Sequence, residues 1–442
     1  MEKIKKLKKI FKKENIDGYI ISKNDEFFGE YVSNYNDRLN FISNFSGSYG
    51  FSLILKNKNY LFVDGRYTLQ AINQSGNFFK IITFPNKMPG DIVKNKKLII
   101  GFDPKLFTKN VLNILFKNKN CKLKPLKYNL IDKIWERKTK ENISQFYTLP
   151  GHSSGFDYKL KIRKIANFLK KSDADFQFIT ASENSAWLLN IRGKDTEYSP
   201  IPHCYILIDK NKNIQVFCNL KKITASFKKK FSEISFVGIK NVDKILARIK
   251  NKKFLIDNKT CSIFFENIIL KNNQIFNFED PIYNLKAIKN TKEIKNIETA
   301  HIIDGIALTK YLFWLKKNFR KKKITEISGS KKLFDLRKKN NKFKSLSFPT
   351  ISGSGPNGAI IHYRASKKTN RPLKKGDIYL VDSGGQYEFG TTDVTRTLSL
   401  DNCDKRIKKI FTRVLKGHIA VADFKIKKDT TGSKIDNYAR KY

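Results

Sequence analysis

An order of secondary-structure signals that runs through the first two-thirds of the chain twice does most to limit its fold. Ile4, Leu7, Ile10 and Phe11 stand at helical spacing up to about Lys13, and a strand signal follows at Gly18 to Ser22. Next come a hairpin-like pair at Phe51 to Leu55 and Tyr60 to Val63, a helix from Arg66, and strands at Phe79 to Phe84 and Leu98 to Phe102, closed by Asp103 and Pro104. The second pass has a basic helix near Tyr158 to Lys170, a strand at Phe176 to Thr180 and a helix at Glu183 to Asn190. A pair at Cys204 to Asp209 and Ile214 to Leu220 follows, then a helix at Val242 to Lys250, a strand at Phe254 to Asp257 and a helix around Phe264 to Leu270. The matching order predicts two similar α/β domains, with duplication as a plausible source. Asp280-Pro281 and Lys286 to Lys292 read as a linker into a third unit, which sets expected divisions at 1–150, 151–286 and 287–442.

The third unit opens on a long helix pattern from Ile294 to Leu315, with His301 on or beside its apolar stripe, where a satisfied core histidine is the expected role. Glu326 to Lys338 continues helical, and Phe348 to Arg364, FPTISGSGPNGAIIHYR, reads as extended. His362 follows Ile360-Ile361 there, an apolar setting that suits an imidazole pointing into a cavity. The stretch from 378 to 400, IYLVDSGGQYEFGTTDVTRTLSL, concentrates the chemistry. Asp382 ends one apolar run and Asp393 sits on a second β-prone run, with Gly384, Gly385 and Gly390 between them expected to turn the chain at positive φ. Adjacent strands would hold both carboxylates on one sheet, the arrangement that a hard divalent cation such as Mn²⁺ requires. A hairpin whose aspartates only make turns is the alternative, and spacing alone leaves both open.

Composition narrows the function classes. The 442 residues are 40% hydrophobic and 13% aromatic, which excludes a disordered chain despite a net charge of +48. That charge invites a nucleic-acid reading, yet lysines are scattered through nearly every helix and loop and are absent from 24–55, 345–366 and 376–404. A polyanion site would gather them with aromatic platforms on one face, so biased codon usage explains the excess more simply, and no specific nucleic-acid partner is expected. Five widely spaced cysteines without a CxxC pair suit reduced thiols in the cytoplasm. No secretory h-region and no 18-residue apolar run is found, so no membrane partner is expected either.

The runs SFPTISGSGPNGAIIHYR, YLVDSGGQYEFGTTDVTRT and VLKGHIAV, in that order, resemble the aminopeptidase P branch of the creatinase and methionine aminopeptidase superfamily, the Xaa-Pro aminopeptidases. Upstream, DRLNFISNFSGSYGFSLIL and LFVDGRYTLQA resemble that family's N-terminal domain, and SAWLLNIRGKDTEYSP its second, creatinase-like domain. The resemblance implies an α/β (α+β) chain of two creatinase-like domains followed by a pita-bread metallopeptidase domain. It implies a dinuclear metal site, usually manganese, that removes an N-terminal residue from peptides with proline second, in a protein commonly homodimeric. Asp382 matches the aspartate that holds one metal, Asp393 the aspartate that bridges both, and His362 the catalytic histidine that contacts substrate near the scissile carbonyl. Trp187, Arg192 and Arg66 fall in matching motifs without roles beyond structural ones. The DSGGQYEFGTTDVTRT match argues against the creatinase branch, which does not need the metal-binding pair.

The family completes its metal site with a histidine in an HGTGHGVG-like segment and two later glutamates, none of which this sequence contains. Its histidines are His152, His203, His301, His362 and His418, and no glutamate follows Asp393. Because Mn²⁺ takes about six ligands, the expectation is at most one weakly bound ion. The catalytic domain is expected to be incomplete, a C-terminally truncated aminopeptidase P left by a frameshift, gene decay or a mis-called gene, with the apolar faces of its long helices uncovered. The chain as written is expected to be inactive, a pseudoenzyme or a peptide-binding and dimerisation remnant.

Overall fold

The computed structural model describes residues 2–94, 97–117, 121–138 and 143–442, and one sheet topology occurs in it twice. The first sheet contains β1 (Gly18–Ser22), β2 (Phe51–Leu55), β3 (Asn59–Val63), β4 (Lys80–Thr83), β5 (Ile99–Phe102) and β6 (Lys122–Pro125), in the order β4-β3-β2-β1-β5-β6. The second contains β7 (Phe176–Ile179), β8 (Cys204–Asp209), β9 (Ile214–Cys218), β10 (Ser235–Gly238), β11 (Lys253–Ile256) and β12 (Gln274–Asn277), in the order β10-β9-β8-β7-β11-β12. In each, the three central strands pair antiparallel and the outer strands join them in parallel. Both sheets are covered on two faces, which is why β1 and β2 are buried along their whole length and read as largely apolar runs broken only by the buried Ser22 and Ser52. Alternation sends Ile206 and Ile208 into one core with Ile165 and Leu169, and Tyr205 and Leu207 into another with Phe178 and Phe254.

Asp280-Pro281 is not a linker. It starts the helix Pro281–Ala287, with Asp280 as a buried cap that accepts from the Ile282 amide (3.0 Å), Gln177 (2.8 Å) and Asn184 (2.7 Å). Proline at the first helical position costs no hydrogen bond, so an Asp-Pro pair can open a helix as readily as break a chain.

By packing, the described residues form two compact units, one of 1–302 with 342–348 and 385–392, the other of 303–341, 349–384 and 393–442. The first unit holds both large sheets and the short antiparallel ladder of β13 (Phe343–Leu346) with β16 (Gly385–Tyr387). The second holds an antiparallel sheet in the order β14 (Ile351–Ser354), β15 (Ile378–Ser383), β17 (Val394–Ser399). The extended reading of 348–364 survives only as β14, because Gly355 turns left-handed (φ 57°) and the 3₁₀ turn Gly355–Ala359 follows. Neither Gly385 nor Gly390 has positive φ. They are small for another reason: a Cβ on Gly385 would stand 2.9 Å from the Tyr387 ring, and one on Gly390 2.9 Å from the Ala300 Cβ. His301 is no core residue, since it lies on the exposed face of the helix Thr291–Asn318 with Nδ1 2.9 Å from the Ile297 carbonyl.

The helix Lys405–Ala422 leaves Ile410, Phe411, Val414, Leu415 and Ile419 between 45% and 66% exposed, an uncovered apolar stripe. Among the described residues no helix is long and apolar enough to cross a membrane.

Candidate active site

Strand register decides where the two aspartates stand. Asp382 pairs with Thr395 on β17 and Ile351 on β14, while Ser383 pairs with Val394. Asp393, one residue before Val394, is therefore the diagonal neighbour of Asp382 on the same face of the sheet. Alternation along β15 buries Tyr379, Val381 and Ser383 and leaves Ile378, Leu380 and Asp382 on the more open face. The buried side is anchored by the Tyr379 hydroxyl, 2.8 Å from both the Tyr311 hydroxyl and Ser352 Oγ.

The carboxylates are close enough to share a proton. Asp393 binds its proton more tightly than an ordinary carboxylate, first through loss of water around it, then through the charge of Asp382 and a hydrogen bond with it. Asp382 Oδ1 is buried and has no hydrogen-bond partner. Because the folded state raises the proton affinity of Asp393, stability held at low pH is lost as pH rises through its folded titration. Asp393→Asn should thus add about 0.5 kcal/mol of stability at pH 7 after solvent screening, seen as a higher thermal midpoint, and give no gain at pH 3. An unchanged or lower midpoint at pH 7 would show that the two charges do not repel.

His362 is half-buried and left-handed (φ 55°), an uncommon state for a residue with a Cβ. Its neighbour Tyr363 fixes the loop, donating from its hydroxyl to Glu326 Oε2 (2.9 Å). Glu326 is fully buried and also accepts from the Ser354 amide (2.8 Å), the Arg371 amide (3.0 Å) and Asn357 Nδ2 (3.1 Å). This carboxylate ties together the loop that carries His362, and sequence reasoning missed it. The only hint was the cap pattern of Thr325 and Ser328, which places Glu326 in the first turn of a helix and says nothing of the loop it meets.

Two carboxylates on one face, one with an orphaned oxygen, are hard oxygen donors of the kind that suit a divalent cation. Among the described residues no group of three or more His, Cys, Asp or Glu side chains is placed to hold an ion. His152 lies beside Glu388 (3.4 Å), His203 stacks on Phe27, and His418 is exposed on its helix.

Residues 3–134 and 136–293 match models of the Creatinase/Prolidase N-terminal domain, and 295–442 the model of Metallopeptidase family M24. A probable Xaa-Pro aminopeptidase P of Laccaria bicolor is 35% identical over 100% of this chain and 71% of its own length. The Xaa-Pro aminopeptidase ApepP of Drosophila melanogaster is 33% identical over 96% of this chain and 72% of its own. The crystal structure of an X-prolyl aminopeptidase from Caenorhabditis elegans, described as a cytosolic enzyme with a di-nuclear active site, superposes with a TM-score of 0.93 at 29% identity, covering 100% of this chain and 76% of that one. The twofold sheet topology, the M24 match that contains both aspartates and these relatives show that the chain belongs to the Xaa-Pro aminopeptidase P family of M24 metallopeptidases, metal-dependent aminopeptidases of proline-containing peptides.

Proposed function

We propose that Asp382 and Asp393 are the first metal ligands of a site that releases the N-terminal residue from peptides with proline second, and that His362 contacts the substrate near the scissile carbonyl. By themselves, the 442 residues bind at most one Mn²⁺ ion, weakly, and do not turn such a peptide over. The observation that carries this reading is the diagonal carboxylate pair with its orphaned oxygen and no third donor among the described residues. A divalent cation held there supplies Lewis acidity toward a carbonyl oxygen. A cation and a proton would compete for Asp393, whose proton affinity is raised, so affinity for an ion would rise with pH. The imidazole of His362 donates toward the carbonyl oxygen as charge develops on it.

The same reading takes 1–150 and 151–286 as creatinase-like domains and 287–442 as part of the catalytic domain. It assigns a homodimer to the cytoplasm, in keeping with five cysteines that carry no disulfide. A peptide-binding protein without turnover is the second reading, favoured by a cleft beside Arg192.

The test uses the purified chain. Added Mn²⁺ should raise the thermal midpoint, Asp382→Asn should abolish the rise, and an Xaa-Pro peptide should release no N-terminal residue above the no-protein rate. Mn²⁺-dependent turnover that disappears on Asp393→Ala would refute the inactivity, and a midpoint indifferent to Mn²⁺ would refute the ligand assignment.

A further inference from the structure

A cleft of 1380 Å³ opens within the first unit, between helices of the second sheet, the start of the helix Thr291–Asn318, and the segment around β13 and β16. Two of its wall residues are cations with no acid against them. Lys161, 1% exposed, donates Nζ to the Trp187 carbonyl (2.9 Å) and Asn190 Oδ1 (2.6 Å), 4.0 Å from the centre of the Trp187 ring. Arg192 donates Nη1 to the Ala186 (3.2 Å) and Ile191 (2.9 Å) carbonyls, and its Nε and Nη2 groups make no hydrogen bond among the described residues. Neither side chain forms an ion pair there.

Glu293 is the carboxylate whose field reaches both, and the Asn290 amide already holds it (2.9 Å). Of the other acids nearby, Glu183 accepts from Tyr283 (2.9 Å), Glu279 from Lys259 (2.8 Å), Asp157 from the Lys159 amide (2.7 Å), and Glu388 pairs with Lys342 and Lys344, while Glu197 is exposed on the wall and pairs with neither cation. Loss of water disfavours both positive charges, holding Lys161 down to about 8 and Arg192 below its usual range. Desolvated cations without a counter-ion are costly, and a bound anion removes that cost.

We propose that this cleft binds the carboxylate group of a small anionic ligand, its oxygens taken by the open edge of the Arg192 guanidinium beside the Lys161 ammonium. A planar guanidinium with two free donors on one edge matches a carboxylate in bidentate geometry. Two sources share that chemistry, the C-terminus of a short peptide and a free organic acid. Gln386 to Thr391, which line the cleft, are bracketed in sequence by Asp382 and Asp393, so a ligand there touches the chain between the two aspartates. The proposal goes beyond the metal-site reading and involves neither metal nor turnover.

The test follows the indole N–H resonance of Trp187, one of three tryptophans, assigned with Trp187→Phe. A tripeptide with proline second is titrated as its free acid and as its C-terminal amide, and succinate is added in competition. The acid should shift the resonance, with the amide about tenfold weaker, the loss of one charge-assisted pair. Arg192→Gln should weaken the acid by about the same factor and leave the amide unchanged. Displacement by succinate would extend the site to free organic acids, and its failure would restrict the site to peptide termini. Equal binding of acid and amide, or no shift with either, overturns the proposal. That comparison needs only the unaltered chain, so it stands if the variant misfolds, and its failure would leave the Mn²⁺ test untouched.

Discussion

Asp304→Leu is expected to cost the second unit about 3–5 kcal/mol, because it strands a buried guanidinium that has no means of losing its charge. Arg337 is 0% exposed, and its Nε and Nη2 donate to the Asp304 carboxylate at 2.7 and 2.9 Å. Its Nη1 already lacks a partner, so the pair has no slack. The two residues join the helices Thr291–Asn318 and Glu326–Lys338, which pack Leu308, Tyr311 and Leu333 against Tyr379 and Val381 of β15. Amide exchange in 326–338 and 378–383 should accelerate together in the variant. The double change Asp304→Leu with Arg337→Met should recover most of the loss, since an apolar pair of similar volume replaces a buried ion pair at little cost. A single variant within about 1 kcal/mol of the parent would show that water reaches the guanidinium after all.

What could be read from the sequence follows how each element is buried. The central strands of both large sheets are covered on two faces, so their apolar runs were visible. The edge strands β6 (KLKP), β10 (SFVG) and β12 (QIFN) went unread, because a half-covered strand flanked by lysine and asparagine has no pattern to betray it. Asp280 was misread because an Asp-Pro pair opens a helix as readily as it breaks a chain, and the Gln177 and Asn184 donors that satisfy its buried carboxylate lie about a hundred residues away. The positive-φ reading of Gly385 and Gly390 failed because 385–392 leave as an excursion that pairs with β13, not as a tight turn. That Asp382 and Asp393 face one side follows from register, which the sequence does not state. The left-handed state of His362 depends on the loop that Tyr363 and Glu326 fix, which no local rule predicts.

Asp195→Ala should be the comparable lesion in the first unit, and its pH dependence separates the two. Asp195 accepts from Lys222 Nζ at 2.5 Å, with the side chains 2% and 3% exposed, and its other oxygen accepts from the His203 amide at 2.7 Å. His203 itself stacks on Phe27 and is held down to about 4 by burial, so it stays neutral at pH 7 and supplies no negative charge in place of the lost carboxylate. Removing the carboxylate leaves a buried ammonium and an unsatisfied amide, a cost of about 3–5 kcal/mol at pH 7. An ammonium, unlike a guanidinium, can escape by shedding its proton. In the variant the unfolded chain then binds more protons than the folded one, and under that condition stability rises with pH. The deficit of Asp195→Ala relative to the parent should therefore shrink between pH 7 and pH 10, while that of Asp304→Leu stays constant across the same range. Denaturant midpoints at the two pH values measure both, and a pH-independent deficit for Asp195→Ala would mean that the lost carboxylate mattered for the loop it braces rather than for the charge it opposed.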